Sequence, residues 1–182
     1  KQVCFAKDGL ANVWHERFAF NGANVAEFPV SAERPSAFAR EIDRLSQERN
    51  TLMPEALFAQ NIPTRAALDD ARAAAGSQRR RMIAWQEELD WQVYRLYGVV
   101  DDDLTIPGEP PEISFGERAF EIVLAREIAA GRTSTTWFER HGAEPIIELP
   151  SRWPNTYREL VERRMTAIQR NRNLALIERP EY

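Results

Sequence analysis

One stretch of the sequence is almost free of residues that stop a helix. It runs from Thr64 to Gly98 and is rich in Ala and Arg, and only Gly76 and Ser77 weaken its centre, since a Gly costs about 1 kcal/mol relative to Ala. A continuous helix over about 65–97 would be about 50 Å long. Gly98 can adopt a positive φ and is the expected residue to end it. The sequence therefore predicts a mainly α fold, a helical domain with one long helix that ends near Gly98.

Apolar residues in the second half of this stretch recur at spacings of three and four. They are Met82, Trp85, Leu89, Val93 and Leu96. Such spacing places side chains on one face of a helix, so we expect this stripe to be buried against a core. Trp85, Leu89 and Gly98 are therefore predicted structural residues of the long helix. Trp91 and Tyr94 are expected on its flanking faces.

Two shorter helices are predicted before the long one. The first starts behind Pro35 and Ser36 and runs to about Arg49, because apolar residues recur there at helical spacing. Pro54 is expected in the first turn of a second, short helix, a position that Pro favours.

Three more helices are predicted in the C-terminal half. Ser114 followed by Glu117 is a capping-box pattern, so these two residues are predicted to start a helix, which should end at Gly131. A short helix is expected to stop at Gly142, and a longer one begins near Pro154. The inward residues of this last helix are predicted to be Tyr157, Leu160, Val161, Met165 and Ile168.

Changes of pattern divide the chain into four segments. Residues 1–34 are predicted to be a β or irregular N-terminal segment, and residues 35–105 a helical spacer that includes the long helix. Residues 106–112, which contain IPGEPP, are a proline-rich linker, and residues 113–182 are a C-terminal helical subdomain. The chain begins without Met and ends within a pattern, so we expect it to be a segment of a much larger polypeptide.

The sequence contains no recognisable catalytic assembly or metal site. Its 8 Gly are scattered singly, so neither GxGxxG nor GxxxxGKS occurs, and HExxH is absent. The single Cys4 excludes an internal disulfide, and His15 and His141 are too few for a Cys/His zinc cluster. The acidic run 101–103 is interpreted as a solvated helix end rather than a cation site. We therefore predict no catalytic residue, no metal ligand and no cofactor for this segment.

Charge is spread unevenly along the chain, although the net charge is only −4. Residues 87–127 hold eleven acidic residues against three Arg, whereas residues 152–179 hold seven Arg against three Glu. Of the 24 basic residues, 22 are Arg, a side chain that suits phosphates and guanine edges. A GC-rich genome raises Arg and Ala together, however, and explains the same composition without any nucleic acid.

Neither a membrane span nor a signal peptide is predicted. No apolar run approaches the roughly 18 to 20 residues that a span needs, and the first residues, KQVCFAKDG, lack an apolar block. We expect a cytoplasmic protein with no membrane contact.

Several longer stretches resemble one family of enzymes. EELDWQVYRLYGV and FNGANVAEFPV are similar to runs in the large Eco57I-like adenine-specific DNA methyltransferases. ISFGERAFEIVLARE, TTWFERHGAEPIIELPSRWP and LALIERPEY resemble more narrowly the methyltransferases of the phage-growth-limitation and BREX phage-defence systems. The resemblance covers almost the whole chain.

This resemblance implies a large parent enzyme that binds S-adenosylmethionine and double-stranded DNA and methylates adenine N6. The present chain resembles the region downstream of the catalytic domain. Its EPPE run, Glu109 to Glu112, lacks both the Asn and the aromatic ring of the family's NPPY motif. No catalytic residue is therefore carried over to any position of this chain.

Two functions fit these observations. The first is a DNA target-recognition or spacer segment of the parent methyltransferase, and the second is a docking module for other BREX subunits without DNA contact. The net negative charge slightly favours docking. A continuous positive groove would indicate DNA, whereas dispersed arginines paired with Glu would indicate docking. The predicted DNA contacts are Arg79, Arg80, Arg81, Arg163, Arg164, Arg170 and Arg172 for phosphates, and Asn21 and Asn24 for base edges.

Overall fold

A computed structural model of the chain describes residues 26, 29–59 and 62–178. The chain forms two compact units, Lys1–Arg34 and Pro35–Tyr182. Most of the first unit lies outside the described residues. The predicted β or irregular N-terminal segment, and with it Asn21 and Asn24, therefore cannot be placed.

The prediction of a mainly α fold is confirmed, because the described residues form helices and loops and contain no strand. Among these residues no helix combines the length and apolar character needed to cross a membrane. The helices of the second unit are α1 (Ser36–Thr51), α2 (Pro54–Phe58), α3 (Arg65–Leu96), α4 (Ala119–Ala129), α5 (Trp137–His141), α6 (Asn155–Arg170) and α7 (Arg172–Ile177).

Helix α3 is the predicted long helix, and its two ends are set by local chemistry. At the start, Thr64 Oγ1 accepts a hydrogen bond of 3.2 Å from the Ala67 N–H, which satisfies one of the free donors of the first turn. At the end, Gly98 adopts a φ of 63° and the Val99 N–H bonds back to the Tyr94 carbonyl at 2.8 Å. The prediction that the helix ends near Gly98 is confirmed.

The prediction for the buried face of α3 was wrong. All five residues of the predicted stripe are only half-buried. The buried positions in the second half of α3 are Ala84, Glu87, Glu88, Trp91 and Tyr94. Two carboxylates thus face the core, where they are paired with arginines. A periodicity that counts only apolar residues treats these positions as exposed and so predicts the wrong buried face.

Part of the predicted stripe is used to pack α3 against α1 instead. The rings of Trp85 and Phe38 lie 5.6 Å apart, and Leu45 of α1 has no exposed surface. Helix α1 therefore covers the side of α3 that does not face the main core.

Helix α4 starts later than the capping-box pattern predicts. Glu117 Oε2 does accept a 2.7 Å hydrogen bond from the Ser114 N–H, but these residues lie in the turn before the helix. The N-cap is Arg118, whose N–H bonds to Glu121 Oε2 at 3.0 Å. That oxygen also accepts from the Gly116 N–H at 2.8 Å, so Glu121 closes the turn and the helix start together.

The remaining helices agree with the predictions made from the sequence, except that one observed helix was not predicted. Gly131 and Gly142 adopt φ values of 69° and 59° just after α4 and α5, and the five predicted inward residues of α6 are all buried. Helix α7 was not predicted. It is capped by Asn171, whose side chain accepts from the N–H groups of Asn173 and Leu174.

Residues 106–112 run along α3 inside the second unit. The Ile113 N–H bonds to the Arg80 carbonyl at 3.3 Å, and Glu109 and Glu112 pair with arginines of α3. The core lies between α3, α4, α6 and α7, and its aromatic members are Trp91, Tyr94, Phe120, Trp153 and Tyr157.

Candidate functional site

The main polar feature of the core is a group of charged side chains from three helix regions. We call it the buried charge network, and it consists of Glu87, Glu88 and Asp90 of α3, Arg118 at the start of α4, and Arg164 of α6. Glu88 and Arg164 have no exposed surface, and Glu87 is 2% exposed. These charges lie where water cannot solvate them, so each depends on its protein partners.

Arg164 is held by the Glu88 carboxylate and the Leu104 carbonyl. Its Nη2 donates to Glu88 Oε2 at 2.7 Å, and its Nε and Nη2 donate to the Leu104 carbonyl at 2.9 and 2.7 Å. The guanidinium carbon also lies 5.4 Å from the centre of the Trp91 ring, within the range of a cation–π contact. One side chain of α6 therefore fixes both α3 and the loop that follows it.

Arg118 makes the second half of the network. Its Nε lies 2.7 Å from Glu87 Oε2 and its Nη2 lies 2.6 Å from Asp90 Oδ2. Glu87 Oε1 in turn accepts a 3.0 Å hydrogen bond from Trp91 Nε1. The start of α4 is thereby tied to α3 by charge-assisted hydrogen bonds, which are stronger than neutral ones.

Burial and pairing act in opposite directions on the carboxyl groups. Burial acts to raise the pKa of Glu87, but the charges of Arg118 and Arg164 outweigh it and hold that pKa below its ordinary value. For Glu88 burial prevails and raises its pKa, although Arg164 opposes the effect. Glu88 Oε1 also has no hydrogen-bond partner.

A further carboxyl group borders the network from the C-terminal end. Glu178 Oε1 accepts a 2.7 Å hydrogen bond from the Tyr94 hydroxyl. Burial, together with the negative charge of Glu87, raises the pKa of Glu178 to about 7. This group therefore changes protonation near neutral pH.

The chemistry of the network is structural. Its carboxylates are engaged by arginines and backbone N–H groups. Among the described residues no group of three or more His, Cys, Asp or Glu is arranged to hold a metal ion. His141, the described histidine, packs against the Trp137 ring at 4.1 Å.

Three of the seven arginines predicted to contact DNA are paired with carboxylates at the surface. Arg80 pairs with Glu112, Arg81 Nη2 lies 2.8 Å from Glu109 Oε1, and Arg163 Nη2 lies 4.0 Å from Asp102 Oδ2. Such pairing offsets the charge that would attract a phosphate.

The four other predicted arginine contacts behave differently. Arg164 is completely buried, so its assignment as a DNA contact was wrong. Its position explains this, because it falls within the apolar stripe of α6. Arg170 and Arg172 are exposed and form no ion pair within the described part of the chain. Arg79 lies with its guanidinium carbon 4.4 Å from the centre of the Phe115 ring.

Sequence reasoning missed the buried charge network, although two signals of it were present. Glu87 and Glu88 precede Trp91 by four and three residues, so the three side chains lie on one face of the helix. If Trp91 is buried, both carboxylates are brought toward the core. Arg164 lies four residues from both Leu160 and Ile168 on the inward face of α6.

Comparisons with known proteins show the family of this chain and its sequence similarity to an enzyme. Residues 82–182 match the family described as a domain of unknown function, DUF7008, and the chain belongs to this family. It is also 44% identical over 174 residues to "Adenine-specific methyltransferase PglX" of Streptomyces coelicolor. That alignment covers 93% of this chain but 14% of the relative's length. No solved structure gives a significant match.

The resemblance to adenine-specific methyltransferases is thus confirmed as a sequence similarity. Because the chain spans only 14% of the length of that relative, the activity, cofactor and partners of the whole enzyme are not properties of this segment by similarity alone.

Proposed function

We propose that this chain is a non-catalytic helical spacer within an adenine-specific DNA methyltransferase of the PglX type. It sets the distance and angle between other parts of that enzyme and does not itself supply the main DNA-binding surface. The observation that carries the proposal is the pairing of the α3 arginines, Arg80 with Glu112 and Arg81 with Glu109.

The architecture supports a spacer. Helix α3 has 32 residues, which corresponds to about 48 Å, and α1 packs along it. The buried charge network then fixes its second half to α4 and α6 through Arg118 and Arg164. A long helix that is held on several sides keeps its two ends at a constant separation.

The arrangement of surface charge argues against a phosphate groove. A DNA-binding surface gains affinity when cationic side chains replace counterions on phosphates, but the paired arginines are already neutralised by their own carboxylates. Their ion pairs are dispersed along the molecule, as in Arg95 with Asp103 and Arg132 with Glu127. Dispersed pairs of this kind argue against a nucleic-acid groove, and they fit the docking alternative as well as a spacer.

A second candidate function, DNA contact at the α6–α7 junction, is favoured by one observation. Arg170 and Arg172 are exposed and have no acidic partner among the described residues. Two such arginines are suited to phosphate oxygens. Against this, the neighbouring Arg163 lies within 4.0 Å of Asp102, so carboxylates lie nearby.

Measurements of DNA binding by the full-length methyltransferase that contains this segment distinguish the two functions. We would compare Arg80→Gln/Arg81→Gln, Arg170→Gln/Arg172→Gln and the control Arg132→Gln, and measure Kd on duplex DNA over a range of salt. The spacer proposal expects all three to match wild type in Kd and in salt slope. DNA contact at the junction expects only the second variant to lose affinity, with the slope reduced by about 0.9 for each phosphate lost.

A further variant tests the spacer role directly. Arg164→Met removes the pairing between α6 and α3 but alters no exposed charge. It should lower the methylation rate while the salt slope of DNA binding stays unchanged. Full methylation in a variant whose segment is shown by proteolysis to be loosened would contradict the proposal, as would weakened DNA binding by the paired-arginine variant.

A further inference from the structure

A cleft of about 570 Å³ lies between α1, α3 and the turn before α4. One part of its lining is apolar and is formed by Ile42 of α1 with Met82 and Ile83 of α3. Phe115 lines it from the turn. The cleft has the size of a small-molecule site, for which a few hundred Å³ is typical.

The polar part of the lining consists of three arginines and the neutral Gln86. Arg49, Arg79 and Arg118 all line the cleft, and no acidic side chain is among its described lining residues. The charge of Arg118 is balanced by Glu87 and Asp90. Arg49 and Arg79 have no ion-pair partner in the part of the chain that the structure describes, so the cleft retains two uncompensated positive charges.

One donor at the cleft also lacks an acceptor. Arg49 Nε is enclosed by protein and has no hydrogen-bond partner. Buried N–H donors are nearly always satisfied in folded proteins, and a buried donor that is not calls for an explanation. A bound anion would satisfy it only after the Arg49 side chain turns toward the cleft, because the atom is enclosed in the present arrangement.

Arg79 is already oriented by its neighbours. Its guanidinium carbon lies 4.4 Å from the centre of the Phe115 ring, and that ring packs at 6.0 Å against His141. The guanidinium is therefore held at the cleft by a cation–π contact that leaves its N–H groups free of carboxylates. A preoriented guanidinium loses less conformational entropy when it binds an anion.

We propose that this cleft binds an organic anion, a phosphate or carboxylate group joined to an apolar or aromatic body. Arg49 and Arg79 bind the anionic group through charge-assisted hydrogen bonds. Ile42, Met82 and Ile83 cover the apolar body. The inference goes beyond the spacer function and is independent of it, since it concerns a ligand and not the DNA.

The anionic group is either a phosphate or a carboxylate, and one titration series distinguishes the two. Phenyl phosphate and phenylacetate would be titrated into the full chain by calorimetry at low salt, with inorganic phosphate as the third probe. At least one organic anion should bind about tenfold or more tightly than inorganic phosphate, because the cleft buries its ring. The preferred organic anion identifies the group as a phosphate or a carboxylate.

Three variants test whether the probe binds in this cleft. Arg79→Gln and Arg49→Gln should each weaken the preferred probe about tenfold or more, whereas Arg40→Gln, an exposed arginine of α1 outside the cleft, should bind as wild type does. Arg79 is exposed, so its variant should fold normally, and its melting temperature serves as the check. The proposal is overturned if neither organic anion exceeds inorganic phosphate, or if Arg79→Gln binds the preferred probe unchanged.

Discussion

Arg164 Nη2 lies 2.7 Å from Glu88 Oε2, and this pair joins two completely buried side chains from helices α6 and α3. Removing two charges from water costs several kcal/mol for each ion, and close pairing offsets that cost only when both partners are present. The Leu104 carbonyl also accepts from Arg164, and the Ile106 N–H also donates to Glu88 Oε2. The contact therefore makes the native arrangement of α3 and α6 depend strongly on both residues.

The first prediction concerns removal of one partner. Arg164→Met leaves Glu88 buried without its cation, so we expect the free energy of unfolding to fall by about 3–5 kcal/mol. The double variant Arg164→Met/Glu88→Leu removes both charges and should recover much of that loss. Urea unfolding at neutral pH measures four proteins: wild type, the single variants Arg164→Met and Glu88→Leu, and the double variant. If the double variant is as unstable as the sum of the single variants, the two residues are not coupled.

A second prediction compares two leucines that differ in burial. Leu160 of α6 is 8% exposed, so Leu160→Ala should cost about 2–5 kcal/mol by opening a cavity. Leu89 belongs to the predicted stripe of α3 but is only half-buried, and Leu89→Ala should cost about 1 kcal/mol. Thermal and urea unfolding of the two variants would show the difference. Equal losses would mean that the stripe is core after all.

The ends of three helices were predictable because local chemistry sets them. Gly98, Gly131 and Gly142 mark the ends of α3, α4 and α5, and each adopts a positive φ. Pro54 begins α2 as expected. Helix α7 was missed because its start depends on the side chain of Asn171, which also donates to the Val99 carbonyl at 2.6 Å, a contact between distant parts of the chain.

The buried face of α3 was not predictable in the same way. Apolar periodicity points to the side that carries Trp85, but the side that carries Glu87 and Glu88 is more deeply buried. A carboxylate enters a core only when a cation meets it there. That cation comes from Arg118 and Arg164, and their approach is a property of the tertiary structure.

The candidate site was also not predictable, because the partners of its residues come from distant parts of the chain. A cluster such as Arg79 to Arg81 predicts a cationic surface, but it does not reveal that Glu109 and Glu112 lie alongside α3. The cleft was equally hidden, because its lining comes from α1, α3 and the turn at Phe115.

A third prediction concerns two glycines that both have positive φ. At Gly116, φ is 92° and an added Cβ would lie 2.5 Å from the Glu144 carbonyl oxygen. Gly116→Ala should therefore destabilise the protein by about 2 kcal/mol or more, through both backbone strain and a steric clash. At Gly98 the φ is 63° and nothing lies within 4 Å of the added Cβ.

Gly98→Ala is thus the matched control for Gly116→Ala. It carries only the cost of the left-handed conformation, about 1 kcal/mol. Differential scanning calorimetry of both variants would separate strain from clash. A smaller loss for Gly116→Ala than for Gly98→Ala would show that the turn before α4 moves freely away from Glu144.

The last prediction is a dependence of stability on pH that comes from Glu178. Its pKa is raised from 4.5 to about 7, chiefly by burial, and the groups that face it are Glu87, Asp90, Arg118 and the Tyr94 hydroxyl. Between these two values the unfolded carboxyl is ionised while the folded one still holds its proton. The folded state then binds more protons, so stability falls as pH rises through this window and levels off above about pH 7.

Comparison with Glu178→Gln isolates this contribution from the other carboxyl groups. The amide oxygen can still accept from Tyr94 but does not titrate. Between pH 5 and pH 8 we expect wild type to lose about 2 kcal/mol more than the variant. Urea unfolding at unit pH steps measures the two slopes. Parallel profiles would show that Glu178 ionises normally in the folded protein, and a stability that rises more steeply with pH in wild type would reverse the assignment.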